Sequence, residues 1–244
     1  MDDILSHLKT SVAYKLVVAG MAVAAANYIA VRLNLSTQPV EQKDITGCLV
    51  APPGQFDTPV MPTVNLQTSN FMFIFRSGKL YLVMNSKTNI EEVERYHEWA
   101  GTPSLINSNE AYQLATQWLS RVYVDVAALN AKYKATVGQP SFWRDPPARF
   151  GEQGSNLTTL PLYYVSWSKG DYTAAKVGIF GPTKQMMGLT IEDASLCDRT
   201  YLVVTNQREL VYSTNVPLRM GVSNNALLHL FFQSGSPDRG SGLH

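Results

Sequence analysis

The chain has 244 residues, 45% of them hydrophobic and 16% charged, with a formal net charge of +1. That length suits one large or two small globular domains with a buried core, and ordinary usage of Gly (16) and Pro (13) excludes collagen-like and low-complexity classes. Near-neutral charge removes the electrostatic footprint of a general nucleic-acid binder, and two cysteines, Cys48 and Cys197, build neither a Cys-only metal site nor a disulfide-dense scaffold.

Lys9 and Lys15 precede an unbroken apolar run from Leu16 to Ala26, which Asn27 interrupts before Tyr28–Val31 leads to Arg32. Two readings of residues 1–33 stay open, beside that of a buried helix in a soluble protein. A signal peptide fits the apolar core and the small residues at its end, with candidate cleavage after Ala24 or Ala26. A membrane anchor fits Val12–Val31, since roughly 20 residues cross a ~30 Å hydrocarbon core. Lys9 and Lys15 would then hold the N-terminus inside. The apolar residues surround the helix axis, as a lipid-facing or fully buried helix requires. Both readings place the body outside the cytoplasm, in a periplasmic or membrane-anchored location. In such an oxidising compartment Cys48 and Cys197 can pair, or they remain two buried thiols.

Residues 34–65 carry Pro39, Pro52, Pro53, Pro59 and Pro62 and read as a Pro-rich tether with room for short edge strands. A hairpin-plus-helix unit, 66–106, follows. Its arms are Phe71–Phe75 and Leu80–Met84 around a Ser77-Gly78 turn. Its helix runs from Ile90 to Ala100 behind an Asn89 cap and stops at Gly101 and Pro103. A second unit spans 107–210. Asn107 and Glu110 form a capping-box pattern, and Ala111, Leu114, Ala115, Trp118, Leu119 and Val122 fall on one helical stripe. A loop through Pro140, Pro146, Pro147 and Gly154 leads to three strands, Leu160–Trp167, Ala175–Phe180 and Met186–Ile191, with Gly181–Lys184 as the last turn. Leu202–Val204 is a further candidate strand. Residues 211–244 form a C-terminal extension and flexible tail. The order predicts an α+β fold: helices packed on antiparallel β-sheet, two small α+β units, preceded by an N-terminal apolar helix.

The segment from Asn107 to Ile191 resembles the PepSY-like module of exported bacterial proteins. The likeness rests on Ala111 and Ala115, on Tyr163-Tyr-Val-Ser-Trp167, and on Val177-Gly-Ile-Phe-Gly-Pro-Thr-Lys-Gln-Met-Met187. With Arg95-Tyr-His-Glu-Trp99 and Thr116-Gln-Trp-Leu119, the whole chain also resembles uncharacterised exported proteins of environmental bacteria. The resemblance implies an extracytoplasmic binding or inhibitory module and carries over no catalytic residue.

Chemical motifs are sparse. His7, His97, His229 and His244 are isolated, short of the three convergent ligands of a zinc site. No nucleophile elbow or phosphate loop stands between a strand and a helix. Glu94 and Glu98 lie one turn apart and could serve a hydrolase as an acid/base pair, but Glu91 and Arg95 make the same helix face an ordinary solvated one. Phe142, Trp143, Arg144, Arg149 and Phe150 interleave aromatic and cationic groups in the Pro-rich loop. With Trp167 on the neighbouring strand they form a candidate platform for a ligand or partner. These readings lead to a non-catalytic binding or interaction module of a bacterial cell envelope. It needs no cofactor, metal or nucleic acid. Its partners would be a protein, a peptide or an envelope polymer, with the membrane reached through the N-terminal helix. The alternatives are a structural subunit of an envelope assembly and an envelope hydrolase.

Overall fold

The fold is taken from a computed structural model that describes residues 2–35, 39–51, 61–85, 96, 98–145 and 155–204. The apolar N-terminal segment is one continuous helix, α1 (Asp2–Arg32). Four strands follow as an antiparallel meander: β1 (Ile45–Val50), β2 (Val64–Thr68), β3 (Phe71–Arg76) and β4 (Lys79–Asn85). β1 lies inside the segment expected to be a tether. Residues 45–50 contain no proline, so every N–H is free to join a ladder, and the prolines fall on either side of the strand.

The β3–β4 turn is the expected one. Ser77 and Gly78 both have positive φ, 47° and 73°, the conformation that a two-residue hairpin turn demands. Gly78 also meets the chain from below, because a Cβ there would lie 2.2 Å from the Leu202 carbonyl oxygen. The Gly78 carbonyl accepts hydrogen bonds from the N–H groups of Tyr201 (2.8 Å) and Leu202 (3.0 Å). Lys79 completes this junction, donating from Nζ to the carbonyls of Ala194 (2.8 Å) and Cys197 (2.7 Å). Leu202 and Val204 are buried, but their segment adds no strand among the described residues. Of the expected helix before Gly101, most lies outside the described residues; Tyr96, Glu98 and Trp99 are helical.

The helix α2 (Ser108–Arg121) starts on the predicted capping box. The Asn107 side chain accepts from the N–H groups of Asn109 and Glu110, and the Glu110 carboxylate accepts from the Asn107 N–H. Its predicted stripe is buried at Ala111, Ala115, Trp118 and Leu119. A short helix α3 (Val126–Lys132), capped by Asp125, and strand β5 (Lys134–Gly138) come next. The segment expected as a loop is a ribbon at its two ends, with β6 (Ser141–Asp145) paired to β7 (Ser155–Thr159). Pro140, Pro146 and Pro147 bound β6 without entering it. The remaining strands, β8 (Leu162–Lys169), β9 (Tyr172–Phe180) and β10 (Gln185–Ile191), match the predicted meander.

The two expected units share one sheet. β4 pairs with β10 through Val83 opposite Leu189, giving an eight-stranded antiparallel sheet of order β1-β2-β3-β4-β10-β9-β8-β5. One face carries Leu66, Phe73, Phe75, Val83, Leu189, Val177 and Val165, all fully or nearly fully buried. α1 covers this sheet at β1 and β2, while α2 lies over β5, β8 and β9. On the other side, Leu160, Leu162 and Met187 form a small second cluster beneath Tyr96 and Trp99, whose indole lies 5.0 Å from the Phe180 ring.

α1 is divided along its length. Tyr14, Val18, Ala22, Ala25, Ala26, Ile29 and Leu33 form a helical stripe sunk in the core. The opposite flank carries Ala13, Leu16, Gly20, Ala24, Asn27 and Val31, apolar but for Asn27, and Val31 is 67% exposed. Val12–Arg32, 21 residues of mean hydropathy 1.5, forms the one helix among the described residues long and apolar enough to cross a membrane by length and composition.

Replacing Gly78 by Ala should lower the melting temperature by at least roughly 2–4 °C, the equivalent of ~1 kcal/mol in a chain of this size. Ser77→Gly, which relieves a positive φ, should leave it unchanged or raised. Thermal unfolding followed by circular dichroism checks both.

Candidate binding site at the end of the N-terminal helix

The last two turns of α1 are fastened to the body by side chains from distant parts of the chain. Asn27, the residue that breaks the apolar run, clamps the backbone of Val40 with both halves of its amide: Oδ1 accepts from the Val40 N–H and Nδ2 donates to the Val40 carbonyl. At the next residue, the hydroxyl of Tyr28 is hydrogen-bonded to that of Tyr123, and the two rings stack with their planes 9° apart. Arg32, at the next i+4 position, donates from Nε to the Arg121 carbonyl and from Nη1 to the Tyr28 hydroxyl at 3.2 Å. Arg121 donates back to the Arg32 carbonyl at 3.5 Å.

Arg199 closes the arrangement from the other side. Its Nη1 donates to the hydroxyl oxygens of both Tyr28 and Tyr123 at 3.1 Å. Its guanidinium also stands over the Tyr28 and Tyr123 rings, 4.4 and 5.0 Å from their centroids. Tyr123 follows the C-cap of α2 and has a φ of 65°, a costly backbone position for a non-glycine residue. The hydrogen bond from Tyr28, then that from Arg199, and the charges of Arg32 and Arg199 hold the Tyr123 phenol below its ordinary pKa. Tyr201, beneath them, is pushed up by burial. Among the described residues no carboxylate lies within ion-pair distance of Arg32, Arg121 or Arg199.

A cavity of about 260 Å³ opens beside this cluster. Its walls come from the end of α1 (Leu33, Asn34), from α2 (Gln117, Trp118, Arg121), from Phe71 and Asn85, and from the β9–β10 turn (Lys184, Gln185). Two cations and several amides line it, with no acidic side chain. Such a lining recognises a small polar or anionic group through donors held on rigid elements. The turn is positioned by Gly181, where a Cβ would lie 2.3 Å from Ser104 Oγ and 2.9 Å from the Pro161 carbonyl oxygen.

A second charged group is closed. Asp193 Oδ2 accepts from Lys132 Nζ and the Tyr133 hydroxyl, both at 2.7 Å, and Oδ1 accepts from the N–H and hydroxyl of Ser195. Lys132 first, then Ser195 and Tyr133, hold this carboxyl well below the usual carboxylate range. With its acceptor sites filled, Asp193 fixes the turn after β10 and is not available as a base.

Of the platform expected from sequence, only Trp167 has its side chain among the described residues. Trp167 is fully buried, because its face of β8 is the one that α2 covers. Its Nε1 donates to Asn130 Oδ1 at 2.8 Å, and Tyr112 packs against it at 5.9 Å. It is a core residue that shares its face with Tyr163, as alternation predicts. Phe142, Trp143 and Arg144 sit on β6 with Phe142 opposite Thr158 and Trp143 opposite Leu157; their side chains, and Arg149 and Phe150 entirely, lie outside the described residues. Glu94 lies outside them also, and Glu98 is exposed. Cys48 and Cys197 are both free thiols. Cys48 stands opposite Leu66 on the edge strand β1, with burial pushing its pKa up to about 11. Cys197 is bridged to Val124, its sulphur directed to the carbonyls of Arg199 (3.5 Å) and Val122 (3.8 Å), so each is held by its own element.

Sequence reasoning passed over Tyr28, Arg32, Arg121, Tyr123 and Arg199. The only local signal is the i,i+4 spacing of Tyr28 and Arg32; the other partners are separated from them by 89 to 171 residues of chain. The chain matches no family model, no curated protein and no solved structure.

Two titrations follow. Ultraviolet titration should show one tyrosine ionising below the ordinary range near 10, and Tyr123→Phe should abolish that step. For Asp193 the folded pKa is depressed, so its contribution to stability is fully present above the unfolded value near 3.9 and drains away as pH falls below it. Asp193→Asn, which keeps an oxygen to cap Ser195 but loses the charged acceptor of Lys132 and Tyr133, should cost about 1 kcal/mol at pH 7, the scale of one hydrogen bond, and should flatten the decline in stability measured by urea unfolding below pH 4.

Proposed function

We propose that the protein is a membrane-tethered binding module of a bacterial cell envelope, held by α1 and acting through recognition rather than turnover. The observation that carries this reading is the two-sided apolar character of α1. A helix on the surface of a water-soluble protein keeps one polar flank, whereas no charged residue falls between Lys15 and Arg32 and the flank opposite the core is Ala13, Leu16, Gly20, Ala24 and Val31, with Asn27 its one polar member and bonded to Val40. Contact with lipid satisfies that flank while the Tyr14–Leu33 stripe stays on the sheet. The collar of Tyr28, Arg32, Tyr123 and Arg199 at the end of the helix has the chemistry found at membrane–water boundaries, where aromatic and cationic side chains sit at headgroup level.

The PepSY-like residues of 107–191 support binding as its role. The chemistry on display agrees: the Arg–Tyr cluster presents donors, and the Asp193 carboxylate is consumed by four hydrogen bonds. A small cationic cavity beside the collar is the binding surface this reading assigns.

The full chain expressed in its host should sediment with membranes, resist high-salt and alkaline washing, and dissolve in detergent. Ala24→Asp, an exposed substitution that leaves the core stripe untouched, should shift it to the soluble fraction at least tenfold with an unchanged circular dichroism spectrum. Recovery of unprocessed wild-type chain from the soluble fraction would overturn the reading.

A further inference from the structure

We propose that Arg32, Arg121 and Arg199 form a receiving site for a phosphate group, carried either by a lipid headgroup or by a soluble phosphate ester. Two guanidinium groups are gathered at one place, Arg32 and Arg199 both donating to the Tyr28 hydroxyl, at 3.2 and 3.1 Å, and Arg121 adjoins them: its carbonyl accepts from Arg32 Nε and its Nη1 donates to the Arg32 carbonyl at 3.5 Å. Like charges that share one acceptor repel each other. Among the described residues Arg76 and Lys132 have carboxylate partners, Glu192 and Asp193. Here tyrosine rings and hydroxyls hold the arginines in place without cancelling their charge.

The arrangement also leaves donors over. Among the described residues Arg199 uses only Nη1, and Arg121 uses only Nη1 toward the Arg32 carbonyl. Asp198, the neighbouring carboxylate, forms no ion pair with them. A guanidinium fork matches the paired oxygens of phosphate, and a group with three or more acceptor oxygens and a charge of −1 to −2 answers three forks better than a single carboxylate does. Arg121 also lines the adjoining cavity, where Gln117 and Lys184 are placed to hold the polar remainder of the phosphate-bearing molecule.

The site is defined by side chains of the folded body and the end of α1, so it stands whether or not α1 lies in lipid. The test uses the full chain in nonionic detergent, or in buffer if it proves water-soluble. Thermal melting is followed against inorganic phosphate, with chloride at matched ionic strength as the control, and against micelles containing phosphatidylglycerol, with diacylglycerol as the phosphate-free control. A saturable rise in melting temperature with inorganic phosphate assigns a free phosphate ligand; a rise with phosphatidylglycerol alone assigns the lipid headgroup. R121Q and R199Q should each weaken the response at least tenfold, while R76Q should leave it unchanged. R199K keeps the charge and loses the fork; it should give an intermediate response and stands in should R199Q unfold. Failure of both probes to saturate, or an undiminished response in R121Q and R199K, would overturn the proposal.

Discussion

The pairing of β4 with β10 makes one molecule of two halves. Only three residues on each strand, Leu82–Met84 and Gly188–Thr190, form this ladder, yet it joins the β1–β4 meander to the β8–β10 meander. Val83 and Leu189 stand opposite each other in it and point into the same core. Without that register the helices α1 and α2 would cover separate patches of sheet. With it, their C-terminal ends come close enough for Arg32 and Arg121 to exchange hydrogen bonds, and the candidate site exists. The Gly78 turn reinforces the same junction by carrying the chain after β10 back beneath the first hairpin.

α1 poses the central physical question of this protein. Burial of its Tyr14–Leu33 stripe follows from area removed from water, an effect worth about 25 cal/mol per Å² of apolar surface. The same reasoning applied to its other flank leaves an apolar surface that water does not favour and that lipid does. The small side chains Ala22, Ala25 and Ala26 bring the helix close to the sheet on one side. Asn27 is not a defect in an apolar run, because its amide is fully engaged by Val40. Beyond Lys15 the polar chemistry of the helix is thus concentrated in its last two turns, where Tyr28 and Arg32 meet the body.

Local patterns were legible where the determinants were local. The capping box at Asn107, the α2 stripe, the Ser77-Gly78 turn and the β8–β10 meander each depend on residues within a few positions of one another, and each stands where periodicity and turn chemistry put it. β1 and β6 were hidden by nearby prolines that bound the strands rather than interrupt them. Trp167 illustrates the limit in a different way: alternation gave its correct face, but whether that face meets solvent or a helix depended on where α2 packs.

The amino-acid order alone determined the class of fold and an N-terminal helix apolar enough for lipid, because composition, periodicity and capping act over a few residues. The tertiary structure decided that the two halves share a sheet, that the cysteines stay apart as thiols, and that Arg32 and Arg199 converge on a pair of tyrosines with Arg121 beside them. Those outcomes depend on which strands pair and which helix ends meet across as many as 171 positions of chain, and no short-range pattern encodes a contact of that span.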